Sequence, residues 1–210
     1  MPASIETFRL PRFREIPDVG LYLDQTVKYI NRYLEPLGGM EITSSMVSNY
    51  VKKGYIKSPV RKQYDADQIA YLFTIAIMKN VVSMEHIARL YDMQKRVYST
   101  QIAYDYFCIE LENMLQYTFG LKEEVEAVGT SNTDLKRMLR CVIIAVANII
   151  YVQHRFAAVD GDEIKTESIL EEQNLALSSK PAGNIPAGFF VIGSPFPALQ
   201  AAPGFHAPRA

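Results

Sequence analysis

The chain has 210 residues, 49% of them apolar and 21% charged, with a formal net charge of −1. That composition excludes a collagen-like, a supercharged and a wholly disordered protein, and suits one domain or a small domain with an appendage. Two cysteines, Cys108 and Cys141, are too few for a disulfide framework and supply no CxxC pair for zinc, which points to a reducing, cytoplasmic compartment. Glu6, Arg9, Arg12 and Arg14 break up the start of the chain, so no secretion signal is expected, and the longest nearly uncharged run, 12 residues over 141–152, is short of the roughly 20 needed to cross a bilayer.

Residues 1–20 read as an extended N-terminal segment. Helical periodicity begins over 21–34, where Leu21, Leu23, Val27, Ile30 and Leu34 recur about once per turn before Pro36, Gly38 and Gly39 close the segment. Thr43 is placed to cap a short helix over 44–53, with Met46, Val47, Tyr50 and Val51 as its apolar stripe and Gly54 as its stop. A brief extended stretch around Pro59 follows. Asp65 and Gln68 form a capping box at the head of an apolar helix running to about Asn80 through Ile69, Leu72, Phe73, Ala76 and Ile77. Ser83 caps the next helix, over 84–93.

Two longer helices are predicted, over 100–119 with Gly120 at its end and over 132–157 with Asn132 or Thr133 as cap. The second is apolar on nearly every side through Val142, Ile143, Ile144, Val146, Ile149, Ile150 and Val152, so it is either the centre of a bundle or half of a dimer interface. From Lys180 onward the chain carries six prolines and four glycines, and Lys180 and Arg209 are its only charges. It is read as a disordered tail. The expected organisation is an N-terminal segment over 1–20, a helix-turn-helix domain over 21–95, a helical bundle or dimerisation region over 96–165, and a short helix with the Pro/Gly-rich tail over 166–210.

One segment departs from the neutral background. Between Ser44 and Tyr64 lie Lys52, Lys53, Lys57, Arg61 and Lys62 with no acidic residue, so the net charge of −1 leaves −6 for the remainder of the chain. On the short helix, Ser45, Ser48, Asn49 and Lys52 share one face by the i, i+3, i+4, i+7 rule, away from the apolar stripe. Hydroxyls and an amide of that size can approach base edges in a major groove, and the lysines at the helix end can reach phosphates, whose charge supplies the sequence-independent part of the affinity. The stretch after Gly54 makes a basic wing with Arg61 and Lys62 at or near its tip, suited to pressing on a sugar-phosphate backbone. A polar surface helix or a basic turn taken alone is commonly just solvated; their succession is the specific signal. The candidate DNA-binding residues are Ser44, Ser45, Ser48, Asn49, Tyr50, Lys52, Lys53, Lys57, Arg61 and Lys62, with Tyr50 packing the helix.

The run Ile42-Thr43-Ser44-Ser45-Met46-Val47-Ser48-Asn49-Tyr50-Val51-Lys52-Lys53-Gly54-Tyr55-Ile56, with Pro59 and then Tyr64-Asp65-Ala66-Asp67-Gln68-Ile69, resembles the winged helix-turn-helix of the MerR-type regulators. Val82-Ser83-Met84-Glu85-His86-Ile87 resembles the start of the next helix in that superfamily. The opening Leu10-Pro11-Arg12-Phe13-Arg14-Glu15-Ile16-Pro17-Asp18, with Leu21-Tyr22-Leu23-Asp24-Gln25, is similar to the signature of an uncharacterised bacterial family, a domain of unknown function with a MerR-like winged helix. The resemblance extends over about 10–158 and implies a mainly α fold: a MerR-like winged helix-turn-helix followed by an all-helical bundle or dimerisation region. The chain departs from the standard regulators in lacking their long, evenly heptad-patterned C-terminal helix, and in its tail.

Other chemistries find little support in the sequence. His86, His154 and His206 have no metal-ligand spacing, and no phosphate loop or nucleophile elbow is present. Asp160-Gly161-Asp162-Glu163 lacks the remaining ligands of a calcium loop and reads as a helix-terminating acidic turn. Cys108 and Cys141 read as inert packing residues, and Tyr98, Tyr104, Tyr106, Phe107, Tyr117 and Phe119 as core packing rather than a small-molecule pocket. The expectation is a non-enzymatic transcription regulator without cofactor or metal, partnered by double-stranded DNA as a homodimer with no membrane association, and open to a small-molecule effector. The competing expectation is a protein-interaction adaptor that uses the apolar C-terminal helices and leaves DNA alone.

Overall fold

The computed structural model describes residues 5–125 and 133–161. The expected tail, together with His206, Asp162 and Glu163, lies outside them. Among the described residues the elements are β1 (Leu21–Tyr22), α1 (Leu23–Leu34), α2 (Ser44–Lys52), β2 (Gln63–Tyr64), α3 (Ala66–Met78), α4 (Met84–Lys95), α5 (Thr100–Thr118) and α6 (Asp134–Gly161), with 3-10 turns at Ile5–Thr7, Phe13–Glu15 and Glu35–Leu37. Capping chemistry sets most of the boundaries. Thr43 Oγ1 accepts from Met46 N–H, Asp65 and Gln68 exchange the reciprocal bonds of a capping box, and Ser83, Ser99 and Thr133 accept from His86, Ile102 and Lys136 N–H.

The first two residues of the first predicted helix are a strand instead. Leu21 and Tyr22 pair antiparallel with Tyr64 and Gln63, and a further antiparallel bridge joins Gln63 to Val60. The helix then starts where Gln25 Oε1 can accept from Tyr22 N–H, at 3.0 Å. Gly20, at φ +75°, allows the close approach, since a Cβ there would sit 3.1 Å from Gln63 Cβ.

Helix α3 is the centre of the fold. From Gln68 to Phe73 and from Ile75 to Met78 every residue is buried, which matches an apolar pattern that runs around the whole helix. Its Phe73 ring meets Tyr29 and Tyr33 of α1 edge-on at 6.0 Å, and Tyr71 stacks on Tyr91 of α4 at 3.7 Å. Helix α6 therefore does not take the central position that its composition allowed. It buries one face through Leu139, Ile143, Val146, Ala147 and Ile150.

A flank of α6 beside that face carries Met138, Val142, Ala145, Ile149, Val152 and Phe156, spaced 4, 3, 4, 3 and 4 residues apart, with Met138, Val152 and Phe156 49%, 48% and 65% exposed and Val142 half-buried against the core. That is the 3.5-residue spacing of a coiled-coil seam on a helix of 28 residues, running about 27 Å along its axis. The expected absence of a long heptad-patterned helix is thereby corrected. The stripe was masked in the sequence by the core-facing residues interleaved with it.

The N-terminal stretch is part of the core. Ile5, Phe8, Leu10 and Ile16 are buried, and two carboxylates of α5 receive the strap: Glu112 takes both guanidinium nitrogens of Arg12 at 2.6 Å and Leu10 N–H at 2.9 Å, while Asp105 accepts from Phe13 N–H at 2.7 Å. Charge-assisted and bidentate, the Arg12–Glu112 pair is of the strong kind, and it holds the guanidinium further into its charged form than usual. Replacing Glu112 by Ala is expected to destabilise the protein by about 2–3 kcal/mol, because both Arg12 and the Leu10 N–H lose their partner. Urea unfolding of Glu112→Ala, Arg12→Ala and the double variant checks this: the Glu112 change is the larger, and the double is less than additive.

Candidate nucleic-acid interface

The orientation of α2 is fixed from three sides. The Asn31 amide of α1 bridges both backbone groups of Ile42, donating to its carbonyl and accepting from its N–H, each at 2.9 Å. This two-point clamp on the residue before the N-cap substitutes for a strand partner. Lys79, at the end of α3, donates to the Glu41 carbonyl, and the desolvation of its ammonium lowers its pKa. Ser44 Oγ donates to Asp24 Oδ1 at 2.9 Å, tying the first turn of α2 to the first turn of α1.

The far end of α2 closes with a Schellman motif. Tyr55 N–H donates to the Tyr50 carbonyl and Gly54 N–H to the Val51 carbonyl, both at 3.0 Å, around Gly54 at φ +77°. The chain leaves under control of its neighbours: the Tyr55 hydroxyl donates to Glu85 Oε1 of α4 at 2.8 Å, and Gln68 Nε2 donates to the Lys57 carbonyl at 2.7 Å. Gln68 thus serves twice, its oxygen in the capping box and its nitrogen on the basic limb.

The turn that follows is tight. Gln63 N–H donates to the Val60 carbonyl at 2.9 Å, and the two residues between them, Arg61 and Lys62, have φ of 51° and 66°. Two positive φ values in a two-residue connection are the signature of a type I′ turn, which favours Asn-Gly because side chains other than Gly, Asn and Asp resist the left-handed region. Arg61 and Lys62 are, among the described residues, the non-glycine positions with positive φ. Cations are held at the tip of this turn against local preference.

The residues expected from the sequence fall into two groups. Ser45, Ser48, Asn49, Lys52 and Lys53 are exposed on or at the end of α2, and Lys57, Arg61 and Lys62 are exposed on the limb and turn. The side chains of those five cations form no hydrogen bond or ion pair with another described residue. Ser44 is half-buried and its hydroxyl is engaged by Asp24. Tyr50 is 7% exposed and its burial raises its pKa, so it packs α2 onto the core. The residues that sequence reasoning missed are those that hold the surface rather than form it: Asn31, Lys79, Glu85 and the second role of Gln68. Only Gln68 carried a signal, through its capping box.

Elsewhere the structure separates the other candidates. Cys108 is buried on the core face of α5, and burial pushes its thiol up to about 12, a setting for an inert group. Cys141, expected to pack, is exposed on α6 instead, because it falls outside the arc that faces α5 and α3. His86 is exposed in the first turn of α4, and the His154 ring lies edge-on to Phe119 at 5.4 Å. Among the described residues no group of three or more His, Cys, Asp or Glu side chains could hold a metal ion, and no helix is long and apolar enough to cross a membrane. Tyr104 and Phe107 are buried as core, whereas Tyr106 and Tyr98 line a cavity.

The strain at the hairpin tip is open to measurement. Exchanging Arg61 and Lys62 for Asn and Gly is expected to stabilise the fold by about 1 kcal/mol, since the left-handed pair then carries residues that accept it. A higher denaturation midpoint for Arg61→Asn/Lys62→Gly than for the parent checks it; a lower one would show that the two cations stabilise the turn.

In comparison with known proteins, no curated protein and no solved structure matches the chain. Residues 11–107, which run from the docked N-terminal strap through the basic surface to the middle of α5 and stop short of α6, match a family described as a domain of unknown function (DUF1836).

Proposed function

We propose that the protein is a cytoplasmic DNA-binding regulator of the MerR-like winged-helix type, with α2 as the recognition helix and the Val60–Gln63 turn as the wing. The observation that carries this reading is the set of exposed cations Lys52, Lys53, Lys57, Arg61 and Lys62, which form no ion pair with a described residue, adjoining an exposed polar face of Ser45, Ser48 and Asn49. A solvated surface has no need to place Arg and Lys at two strained positions of a type I′ turn, where Asn-Gly would be easier. In this reading Ser45, Ser48 and Asn49 face base edges and the five cations take phosphates, while Ser44 and Tyr50 orient the helix. The reading assigns no catalytic residue and no cofactor.

A single module of this size covers too little duplex for useful specificity, which is why the reading includes a homodimer. Support comes from the heptad-spaced stripe on α6. Val82, just before α4, and Met93 of α4 line, together with His86 and Arg89, an open groove of about 490 Å³ that reaches Met138 and Val142. An apolar seam of this length, spaced for knobs-into-holes packing, is self-complementary and suits a second copy of α6.

Fluorescence anisotropy of a labelled mixed-sequence duplex, titrated at several salt concentrations, tests the DNA surface. With about five phosphates neutralised per subunit, log K should fall with log salt at a slope near −4 to −5 per subunit. The variant Lys52→Ala/Lys53→Ala/Arg61→Ala/Lys62→Ala should lose that binding. Retained affinity in the variant, or no binding even at low salt, overturns the reading and leaves the apolar C-terminal helices as a site for a protein partner. For the dimer, Val152→Glu/Phe156→Glu should halve the mass measured by light scattering on a sizing column at micromolar concentration while leaving the helical content unchanged, because both side chains are exposed in the monomer.

A further inference from the structure

The ends of three helices fail to close on one another. Between the last turns of α4, the first turns of α5 and the first turns of α6 lies a cavity of about 120 Å³. Its floor is aliphatic and buried, made by Leu90, Ala103 and Leu139, which are 9%, 5% and 7% exposed. Its outer wall reaches solvent through Ile102, 60% exposed, so the space is open to entry. The volume is several times that of a water molecule and close to the roughly 150 Å³ of a dry apolar cavity that accepts benzene. A ring or a branched aliphatic chain fits; a nucleotide or a peptide does not.

The polar groups stand to one side of this apolar floor. Gln94 and Tyr98 line the cavity, and neither the Gln94 amide nor the Tyr98 hydroxyl bonds to another described residue. Lys136, in the first turn of α6, holds its ammonium 4.8 Å over the Tyr106 ring and forms no ion pair with a described residue. The acids nearby have partners, except that the buried Oε2 of Glu110 accepts no hydrogen bond. Glu110, 1% exposed, accepts from the Tyr106 hydroxyl at 2.7 Å and faces Arg140 at 3.8 Å, while Asp134 pairs with Arg137 at 3.6 Å. The cavity therefore presents a buried apolar floor, one cation that rests on a ring and has no ion pair with a described residue, and a hydroxyl and an amide able to donate.

We propose that this cavity is a binding site for a small monocarboxylate with a ring-sized apolar body, aromatic or branched aliphatic. The body rests on Leu90, Ala103 and Leu139, and the carboxylate meets the Lys136 ammonium with the Tyr98 hydroxyl and the Gln94 amide as further donors. The site stands on its own geometry and is independent of whether α2 binds DNA.

Benzoate, benzamide and benzylamine, identical in ring and different in head group, are the probes, titrated into the full chain and followed by the methyl NMR signals of Leu90, Ala103 and Leu139 and by calorimetry. Benzoate should bind at least tenfold more tightly than benzamide, benzylamine should not bind, and Lys136→Met should weaken benzoate at least tenfold while leaving benzamide unchanged. Ile102→Trp, which fills the exposed side without touching the buried floor, should abolish binding of both; Ala103→Leu should do the same from within, and agreement of the two variants separates occlusion from misfolding. Equal affinity for the three probes, insensitivity to Lys136→Met, or shifts that appear only at tens of millimolar benzoate and survive both filling variants would overturn the proposal.

Discussion

An apolar helix buried on nearly every side has to be wrapped, and α3 is such a helix. Ten of its residues are buried, including Phe73, Leu72 and Ile75, so the other helices are obliged to supply complementary faces on every side. Helix α1 brings Tyr29 and Tyr33, α4 brings Tyr91, and α5 brings Tyr104. The basic surface depends on this arrangement at one remove. The Asp65 cap, Gln68 and Lys79 all sit at the ends of α3, and from there they hold the basic limb through the Lys57 carbonyl and the approach to α2 through the Glu41 carbonyl. The core helix sets the frame in which the exposed cations stand.

What the sequence disclosed follows from the range of the interactions concerned. Caps act over three residues, so Thr43, Asp65 with Gln68, and Ser83 are legible from local spacing alone. The Gly54 stop and the basic turn around Arg61 and Lys62 are equally local. The paired strand at Leu21–Tyr22 was hidden because its partner lies more than forty residues away and its pattern blends into the helix that follows. The Asn31 clamp on Ile42 was hidden for a different reason: an Asn on the polar side of a helix reads as solvated, and only the path of the intervening loop turns its amide into a bridge. Arg12 and Glu112, one hundred residues apart, belong to the same class.

Helix α6 shows how two signals can cancel. Its core face, Leu139, Ile143, Val146, Ala147 and Ile150, and its outward stripe from Met138 to Phe156 together make the sequence apolar around much of its circumference. Such a composition is compatible with a central position or with a seam, and periodicity cannot separate two interleaved stripes. Once α3 occupies the centre, the ambiguity resolves. A buried arc of α6 meets α5 and α3, and the residues left over are those with coiled-coil spacing.

Helix α4 then acquires a place that neither its length nor its composition suggests. At its first turn Glu85 accepts the Tyr55 hydroxyl at the root of the basic limb, and its pKa is lowered by that bond, with Lys53 adding to the effect. In its middle Tyr91 stacks on Tyr71 of the core helix. Towards its end Leu90 and Gln94 line the cavity shared with α5 and α6, and Met93 faces the groove beside the outward stripe. A helix of 12 residues spans about 18 Å, so one rigid element touches the basic limb, the core, the cavity and the apolar seam. Tyr71 in the stack is buried and Tyr91 half-buried while the Tyr55–Glu85 hydrogen bond is exposed, so the core anchors α4 more firmly at its middle than at its first turn.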